Sequence, residues 1–243
     1  MQIEQLWRYP VKSMQGESLP SVSVDEWGLV GDRQWAVIDL ATGLALTARR
    51  EPRLLFAETN LSQDDAVYIS LPTGVAISSV ASAAADVALT EWLGYPVTLQ
   101  RAGNTPATYE IAANFEDEAK SEWLQWQGPA GTFHDSTKTR VSFASSELMR
   151  EWDPRRFRIN VIVSGSLSYS MSEGTLTAGT ASFAIHKPID RCVITTRAQP
   201  GGIERDLSVL KTIIANMNNE LGLATMVASN GTLTVGDPVS LTP

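Results

Sequence analysis

Apolar and polar residues alternate over short stretches along most of the chain, and turn-forming residues separate these stretches. This pattern is typical of β-strands that bury one face. It predicts strands at residues 2–9, 19–24, 34–39, 54–60, 67–71, 140–144, 157–163, 175–185, 193–196, 225–228, 232–235 and 239–242. Gly179 predicts a hairpin turn inside 175–185. The Asn230-Gly231 pair predicts another hairpin, because Asn-Gly suits the tight turns that join neighbouring strands.

Two segments between these strands have helical spacing instead. The segment 83–93 is expected to end at Gly94, since glycine is the usual residue after a helix. Its predicted buried face consists of Ala84, Ala88 and Trp92. The segment 145–152 is expected to begin at Ser145, whose hydroxyl can accept a hydrogen bond from the first turn.

A third helix is predicted at 206–222, beginning at Asp206 and ending at Gly222. Its apolar stripe consists of Leu210, Ile213, Ile214, Met217 and Leu221. Many short strands with a few helices indicate a mainly β fold, and a barrel rather than a doubly wound sheet.

An acidic stretch at 110–122 interrupts the β pattern and is followed by Trp123 and Trp126. Two interpretations stay open: an acidic, solvated helix whose tryptophans pack on the body, or a lid over a substrate. The turn-rich stretch 102–107 before it predicts a division into an N-terminal domain, 1–104, and a C-terminal domain, 105–243.

Composition narrows the class of function. The chain has 243 residues, 43% of them hydrophobic, and a net charge of −8. That charge argues against nucleic acid and anionic membranes as partners. No apolar run is long enough to span a membrane and no leader pattern precedes the first strand, so we expect a cytoplasmic protein. With one cysteine and two histidines, neither an internal disulfide nor a multi-histidine metal site is expected.

The cations concentrate at turns. Nine of the 19 lie in five turn segments, namely Lys12, Arg33, Arg49, Arg50, Arg155, Arg156, Arg158, Lys187 and Arg191. Arginine side chains on loops are well suited to an anionic ligand, because the guanidinium group pairs with phosphate oxygens in a bidentate manner. The alternative is ordinary surface charge without a ligand.

Cys192 is the second candidate for chemistry. A lone cysteine is often a buried apolar residue. Arg191 and Lys187 nearby favour a thiolate, the form that binds soft metals, although Asp190 opposes this effect. One thiolate cannot hold a metal alone, but it can complete the shell of a metal that an organic cofactor already chelates.

Six short motifs in order complete the pattern: YPVKS (9–13), GLVGDR (28–33), LTAR (46–49), RFRIN (156–160), KPIDRC (187–192) and GTLTVGD (231–237). Together they resemble the MOSC family, which includes the mitochondrial amidoxime reducing component and its bacterial relatives. The resemblance implies a MOSC-type β-barrel with an N-terminal β-rich subdomain and a few short helices.

The resemblance also implies a molybdenum cofactor, Mo-molybdopterin, and assigns residues to it. Cys192 matches the thiolate ligand of the metal and is the catalytic candidate. The residues that match cofactor-binding positions are Lys12, Ser13, Arg33, Ser145, Ser146, Arg158, Asn160, Asp190 and Arg191.

By the same resemblance, the chain is expected to be an oxidoreductase that reduces small N-hydroxylated compounds. A separate electron-donor protein is expected, because no iron–sulfur domain follows Pro243. The alternative function is a carrier or sulfur-handling protein that binds the cofactor without turnover. The segment 166–172 departs from the family pattern, since it lacks the acidic, tryptophan-containing sequence that members usually carry there.

Overall fold

The computed structural model describes residues 1–114, 120–149, 152–167 and 173–242. These residues form 18 strands, three α-helices and four short 3-10 helices, which confirms the mainly β prediction. The α-helices are α1 (Ser82–Leu93), α2 (Ser146–Met149) and α3 (Ser208–Met217). The 3-10 helices are Pro52–Phe56, Ser79–Ala81, Pro154–Phe157 and Val193–Thr196.

The strands in the first half of the chain are β1 (Ile3–Arg8), β2 (Glu17–Leu19), β3 (Ser21–Asp25), β4 (Gly28–Leu29), β5 (Trp35–Asp39), β6 (Glu58–Leu61), β7 (Val67–Ser70), β8 (Ala76–Ser78), β9 (Val97–Arg101), β10 (Thr108–Ala112) and β11 (Trp123–Gln127). Those in the second half are β12 (Val141–Ser145), β13 (Val161–Val163), β14 (Thr175–Ala178), β15 (Ala181–Asp190), β16 (Glu220–Ser229), β17 (Gly231–Thr234) and β18 (Val239–Thr242).

A curled eight-stranded sheet in the order β18-β14-β15-β16-β12-β13-β1-β2 forms the larger layer. Its one parallel pair among the described strands joins β12 to β13, and β1 then pairs antiparallel with β13. The N-terminal strands therefore complete a sheet made mostly by the C-terminal half. Apolar side chains fill the concave side, where Phe143 and Phe183 pack edge to face with centroids 5.0 Å apart.

A second apolar core holds the N-terminal half together. It lies between the strand pair β5–β9, the sheet β6-β7-β8 and helix α1. The helix and its end at Gly94, with φ +78°, are as predicted. The buried face is one residue away from the prediction: Ala85, Leu89 and Leu93 point inward, while Ala84 is exposed. Tertiary packing selects this face, because small alanines on both sides leave the sequence pattern ambiguous.

Helix α1 gives a first test of the core. Leu89 is fully buried, whereas Val87 on the same helix is 59% exposed. Leu89→Ala should lower the free energy of unfolding by about 2–5 kcal/mol, because it removes buried methyl groups and leaves a cavity. Val87→Ala is the control and should change it by less than about 0.5 kcal/mol. Urea denaturation measures both, and equal effects of the two substitutions would contradict the assigned face.

Three predicted strands are wrong, two of them in part and one throughout. In each, a 3-10 helix replaces the predicted strand residues. In 54–60 and 157–163, 3-10 helices that begin at proline take the first residues, and strands β6 and β13 follow. The β-branched segment 193–196 is a 3-10 helix throughout. There, the Thr195 and Thr196 hydroxyls donate to carbonyls three residues earlier, at 3.0 and 2.8 Å. Side-chain bonds of this kind compete with a strand ladder.

The predicted end of the third helix, at Gly222, is also wrong. Helix α3 ends at Met217, because Asn218 adopts a left-handed conformation with φ +51°. Of the predicted stripe, Ile213 is buried in the helix, Ile214 is 45% exposed, and Leu221 is buried in strand β16. At the other end Asp206 does accept a hydrogen bond from the Ser208 amide, at 2.8 Å.

Two further predictions concern turns between strands. The hairpin around Gly179 is confirmed, since β14 pairs with β15. The Asn230-Gly231 hairpin is wrong: β17 leaves β16 and pairs antiparallel with β3 from the N-terminal half. Gly231 lies too close to the backbone of Thr180 to carry a side chain, which is a packing reason for the glycine at this position.

The acidic stretch 110–122 is not a helix where it is described. Residues 110–112 belong to strand β10, and residues 120–122 directly precede strand β11; the two strands pair antiparallel, with Tyr109 opposite Trp126. Residues 115–119 lie outside the described residues. In helix α2, Ser145 is the N-cap as predicted and accepts a hydrogen bond from the Glu147 amide at 3.2 Å, while residues 150–151 lie outside the description.

Candidate functional site

A cavity of about 250 Å³ lies where the motif-bearing loops of both halves meet. The charged residues that line it are seven cations (Lys12, Arg33, Arg49, Arg156, Arg158, Lys187 and Arg191) and two acids (Asp135 and Asp190). This excess of positive charge occurs in a chain whose net charge is −8. The cavity is therefore a local electropositive site suited to an anionic ligand.

Three cavity residues adopt backbone conformations that are uncommon for side chains with a Cβ atom. Ser13, Arg33 and Arg158 have φ of +68°, +51° and +53°. Such conformations cluster at binding sites, where surrounding contacts maintain them. Here the Arg33 amide donates to the Tyr9 carbonyl at 2.7 Å, and the Ser13 hydroxyl accepts from the Ala48 amide at 2.9 Å.

Arg33 and Arg158, 125 positions apart, meet around Tyr9. Their guanidinium carbons lie 5.0 and 4.3 Å from the centroid of the Tyr9 ring. Arg33 forms an ion pair with the buried Asp32 and donates from Nη2 to the Arg158 carbonyl at 3.1 Å. Arg158 donates from Nη1 to the Met14 carbonyl at 2.6 Å, whereas its buried Nη2 has no hydrogen-bond partner among the described residues.

The ionisation of this group reflects its burial. Desolvation raises the pKa of Tyr9 to about 12, so the phenol stays protonated. Desolvation, with a smaller effect from Arg33, lowers the pKa of Arg158 to about 10. Arg158 is thus charged at neutral pH but incompletely neutralised by its surroundings. An anion that enters the cavity would stabilise this charge.

Lys12 and Asp135 form a further part of the cavity wall. The Lys12 Nζ donates to the Asp135 carboxylate at 2.9 Å and to the Phe133 carbonyl at 2.8 Å, and it lies 4.2 Å from the centroid of the Tyr109 ring. Desolvation lowers the pKa of Lys12. Desolvation raises the pKa of Asp135, but the positive charges of Lys12 and Arg49 outweigh this effect, so the pKa is lower than usual. The Asp135 side chain is 62% exposed, which places it at the mouth of the cavity.

His134 is a buried, neutral member of the same wall. Desolvation lowers its pKa well below the ordinary value, and the charges of Arg33, Arg140 and Lys12 lower it further. Its Nε2 atom lies 3.9 Å from a carboxylate oxygen of Asp32 and has no hydrogen-bond partner among the described residues.

The depressed pKa of His134 predicts a pH dependence of stability. Below about pH 6.5 the unfolded chain takes up a proton at this histidine and the folded chain does not. The free energy of unfolding should therefore fall by about 1.4 kcal/mol per pH unit as the pH drops from 6.5 to 5. Urea titrations at several pH values measure this slope. His134→Gln should flatten the slope; an unchanged slope in this variant would contradict the assignment.

Asn160 positions the floor of the cavity. Its Oδ1 accepts from the Ser142 hydroxyl at 2.9 Å and from the Ser142 amide at 3.2 Å, and its Nδ2 donates to the Trp7 carbonyl at 3.1 Å. These bonds tie β12 and β1 to the segment that precedes β13. The Asn160 side chain also lies 3.5 Å from Arg33 Nη1, so it supports the guanidinium directly.

Cys192 lies in the cavity wall with intermediate exposure, directly before the 3-10 helix Val193–Thr196. Its neighbour Arg191 donates from Nε to the Leu221 carbonyl at 2.8 Å and from Nη1 to the Phe157 carbonyl at 3.0 Å. Asp190 pairs with Lys187 at 3.0 Å on the exposed side. The Cys192 segment is thereby fixed against the RFRIN loop.

Eight of the ten predicted site residues line this one cavity: Lys12, Ser13, Arg33, Arg158, Asn160, Asp190, Arg191 and Cys192. Ser145 and Ser146 do not. The Ser145 hydroxyl is fully buried and donates to the Gly165 carbonyl at 2.6 Å, so it has a structural role at the start of helix α2. Ser142, three residues earlier on β12, lines the cavity instead.

Sequence reasoning missed Thr47, His134, Asp135 and Ser142 as cavity residues. Thr47 stands in the quoted LTAR motif, and that was a usable signal. His134 and Asp135 had no motif around them, because their contacts to Lys12 and Asp32 span about a hundred residues or more. A structure is needed to find such partners.

The residues present fit a cofactor that carries both a phosphate and a chelated metal. The described walls contain buried polar atoms without hydrogen-bond partners, namely Thr47 Oγ1, His134 Nε2 and Arg158 Nη2. Unsatisfied buried polar atoms are costly, and a polar ligand would satisfy them. No cluster of three or more His, Cys, Asp or Glu able to hold a metal occurs in the described part of the chain. Cys192 would thus be a single protein ligand to a metal chelated elsewhere.

The fold and the cavity define a β-barrel protein with a thiol-bearing anion site between its two halves. The model of the MOSC N-terminal beta barrel domain matches residues 1–125, and that of the MOSC domain matches residues 128–240. The chain therefore belongs to the MOSC-domain family. MOSC domains are generally associated with binding of the molybdenum cofactor. The division at 104/105 stays a prediction.

Solved structures that the chain is similar to include the YUAD protein from Bacillus subtilis, with 14% sequence identity, a TM-score of 0.48, and coverage of 99% of this chain and 94% of that one. Another is YiiM from Geobacillus stearothermophilus, with 16% identity, a TM-score of 0.36, and coverage of 58% of this chain and 75% of that one. A comparison with curated proteins gave no match. No helix within the described ranges is long and apolar enough to cross a membrane.

Proposed function

We propose that this protein binds the molybdenum cofactor in the basic cavity and reduces N-hydroxylated compounds there. One observation carries the proposal: a half-buried thiol, Cys192, lines the same cavity as seven cations in an otherwise acidic protein. An anion site alone would need no cysteine, and a buried structural cysteine would need no cations. Membership of the MOSC-domain family supports the same conclusion.

Each part of the cavity has a distinct task in this proposal. Lys12, Arg33 and Arg158 bind the phosphate end, because they supply charge and donor N–H groups from two sides. Cys192 would hold the metal through its thiolate, and the contacts of Arg191 fix the loop that presents it. When bound, the cofactor supplies the two-electron redox chemistry that no side chain can provide.

The overall reaction balances with two electrons and two protons. The N–O bond of the substrate breaks, one proton adds to the nitrogen in place of the hydroxyl group, and the hydroxyl takes up the other proton and leaves as water. The nitrogen compound is reduced and a separate electron-donor protein is oxidised. The chain's own contribution is to orient the substrate at the mouth of the cavity and to shield the reacting centre with the loops that carry Asp135 and Cys192.

The proposal is tested by purifying the protein from cells that make the cofactor. Molybdenum and pterin are quantified, and reduction of benzamidoxime is assayed with a chemical reductant. We expect about one molybdenum per chain and turnover of the substrate. Bound metal and pterin without turnover would favour the alternative of a cofactor carrier or sulfur-handling protein. Folded protein without either component would contradict cofactor binding.

A further inference from the structure

We propose that Leu124 and Trp126, two half-exposed residues on the apolar face of the β10–β11 hairpin, form a recognition surface for the apolar body of the substrate. The surface would select N-hydroxylated compounds with a planar, aromatic body over aliphatic ones. This inference rests on the proposed function for the chemistry of the substrate, whereas the surface itself follows from the geometry of the hairpin.

The strand register places four apolar side chains on one face of the hairpin. Tyr109 lies opposite Trp126, and Ile111 lies opposite Leu124. Since side chains alternate along a strand, these four residues share one face. The Tyr109 ring on this face packs against the Nζ atom of Lys12, which lines the cavity. The apolar face of the hairpin therefore borders the wall of the cavity.

Trp126 is directly connected to the mouth of the cavity. Its indole Nε1 donates to the backbone carbonyl of Asp135 at 2.8 Å, and Asp135 is a cavity residue. This bond fixes the orientation of the ring. Even so, Trp126 is 47% exposed and Leu124 is 48% exposed. A tryptophan that is held in place yet half exposed beside a cavity is suited to stack on a flat ligand without loss of side-chain freedom.

The opposite face of the hairpin anchors it to a cavity loop. The Arg50 guanidinium lies 4.3 Å from the centroid of the Trp123 ring and pairs with Glu110 at 2.7 Å. Arg50 directly follows Arg49, a residue of the cavity wall. Contacts on both faces thus hold the hairpin in a fixed position relative to the cavity.

The charges of the cavity define which end of a substrate enters it. Seven cationic residues against two acidic ones disfavour a cationic group at the mouth. An N-hydroxylated group that is uncharged at neutral pH meets no such repulsion. The polar N–OH end would therefore enter the cavity, while an apolar ring stays outside on Leu124 and Trp126. This complementarity favours a small neutral amphipathic compound as the occupant of the surface.

Equilibrium binding tests the inference separately from catalysis. Isothermal titration with benzamidoxime, and with acetamidoxime as the aliphatic analogue, measures the dissociation constants on the protein as purified. We expect tighter binding of benzamidoxime. Trp126→Ala should raise its dissociation constant about tenfold, which is the size of a strong aromatic pair contact, and should hardly change that of acetamidoxime.

Two further variants separate stacking from structural effects. Trp126→Phe keeps an aromatic face but loses the bond to the Asp135 carbonyl, so it should restore most of the affinity for benzamidoxime. Trp27→Ala removes another exposed tryptophan, 39% exposed and outside the cavity wall, and should have no effect. The inference would be overturned if the wild type did not bind benzamidoxime, or if the wild type and Trp126→Ala bound it equally well. It would also be overturned if Trp126→Phe did not restore the affinity. Trp126-dependent binding without reduction would overturn the proposed reductase activity and leave the surface standing.

Discussion

Replacing Cys192 by serine should abolish reduction of N-hydroxylated compounds and remove most of the bound molybdenum, while the fold stays intact. A hydroxyl is a much poorer ligand than a thiolate for this metal, although its volume is similar. Because Cys192 is only half buried in the wall of an open cavity, the new hydroxyl can meet water, and the free energy of unfolding should change by less than about 1 kcal/mol.

The measurements that check this prediction are the molybdenum content, the rate with benzamidoxime and the urea denaturation midpoint of the variant. An active Cys192→Ser protein with full metal content would refute the ligand role. Loss of about 1–3 kcal/mol of stability, with no other change, would instead identify Cys192 as an ordinary packing residue.

Arg33→Ala and Arg158→Ala should each weaken cofactor binding by about 1.5–3 kcal/mol, which is the contribution of one charge-assisted hydrogen bond. This corresponds to a loss in affinity of roughly 10- to 150-fold. The two effects should not add, because Arg33 donates directly to the Arg158 carbonyl and both flank the Tyr9 ring. Pterin and molybdenum content after purification at matched expression measure the effect.

Arg101→Ala is the matched control, since Arg101 is 50% exposed, pairs with Asp65 and lies outside the cavity. Arg140 is less suitable because it is buried against Trp27 and its loss would disturb the fold. Equal cofactor content in Arg33→Ala, Arg158→Ala and Arg101→Ala would mean that the two cavity arginines do not bind the anion.

Much of the site was predictable from the sequence because its residues stand in short motifs on turns. Lys12, Arg33, Arg158 and Cys192 each follow or precede a recognisable strand, and all four line the cavity. The left-handed backbone at Ser13, Arg33 and Arg158 was not predictable, because only glycine and asparagine signal such positions in a sequence. Tertiary contacts, such as the hydrogen bond from the Arg33 amide to the Tyr9 carbonyl, maintain these conformations.

Two of the errors, a hairpin and a site residue, have their physical origin in contacts that are distant in sequence. Strand β17 pairs with β3 across about two hundred residues, and this long-range ladder overrides the local preference of Asn230-Gly231 for a hairpin. Ser145 resembled a cofactor ligand, yet its hydroxyl satisfies the Gly165 carbonyl, and Ser142 on the same strand faces the cavity through its bond to Asn160. Which of two nearby serines reaches a site depends on such partners.

A crystal structure of the protein from cofactor-producing cells, with anomalous data collected at the molybdenum edge, tests the cavity most directly. We expect one anomalous peak, at bonding distance from the Cys192 sulfur, and a phosphate in contact with Lys12, Arg33 and Arg158. A well-ordered cavity without molybdenum, or a cofactor bound elsewhere on the molecule, would contradict the assignment of this cavity as the cofactor site.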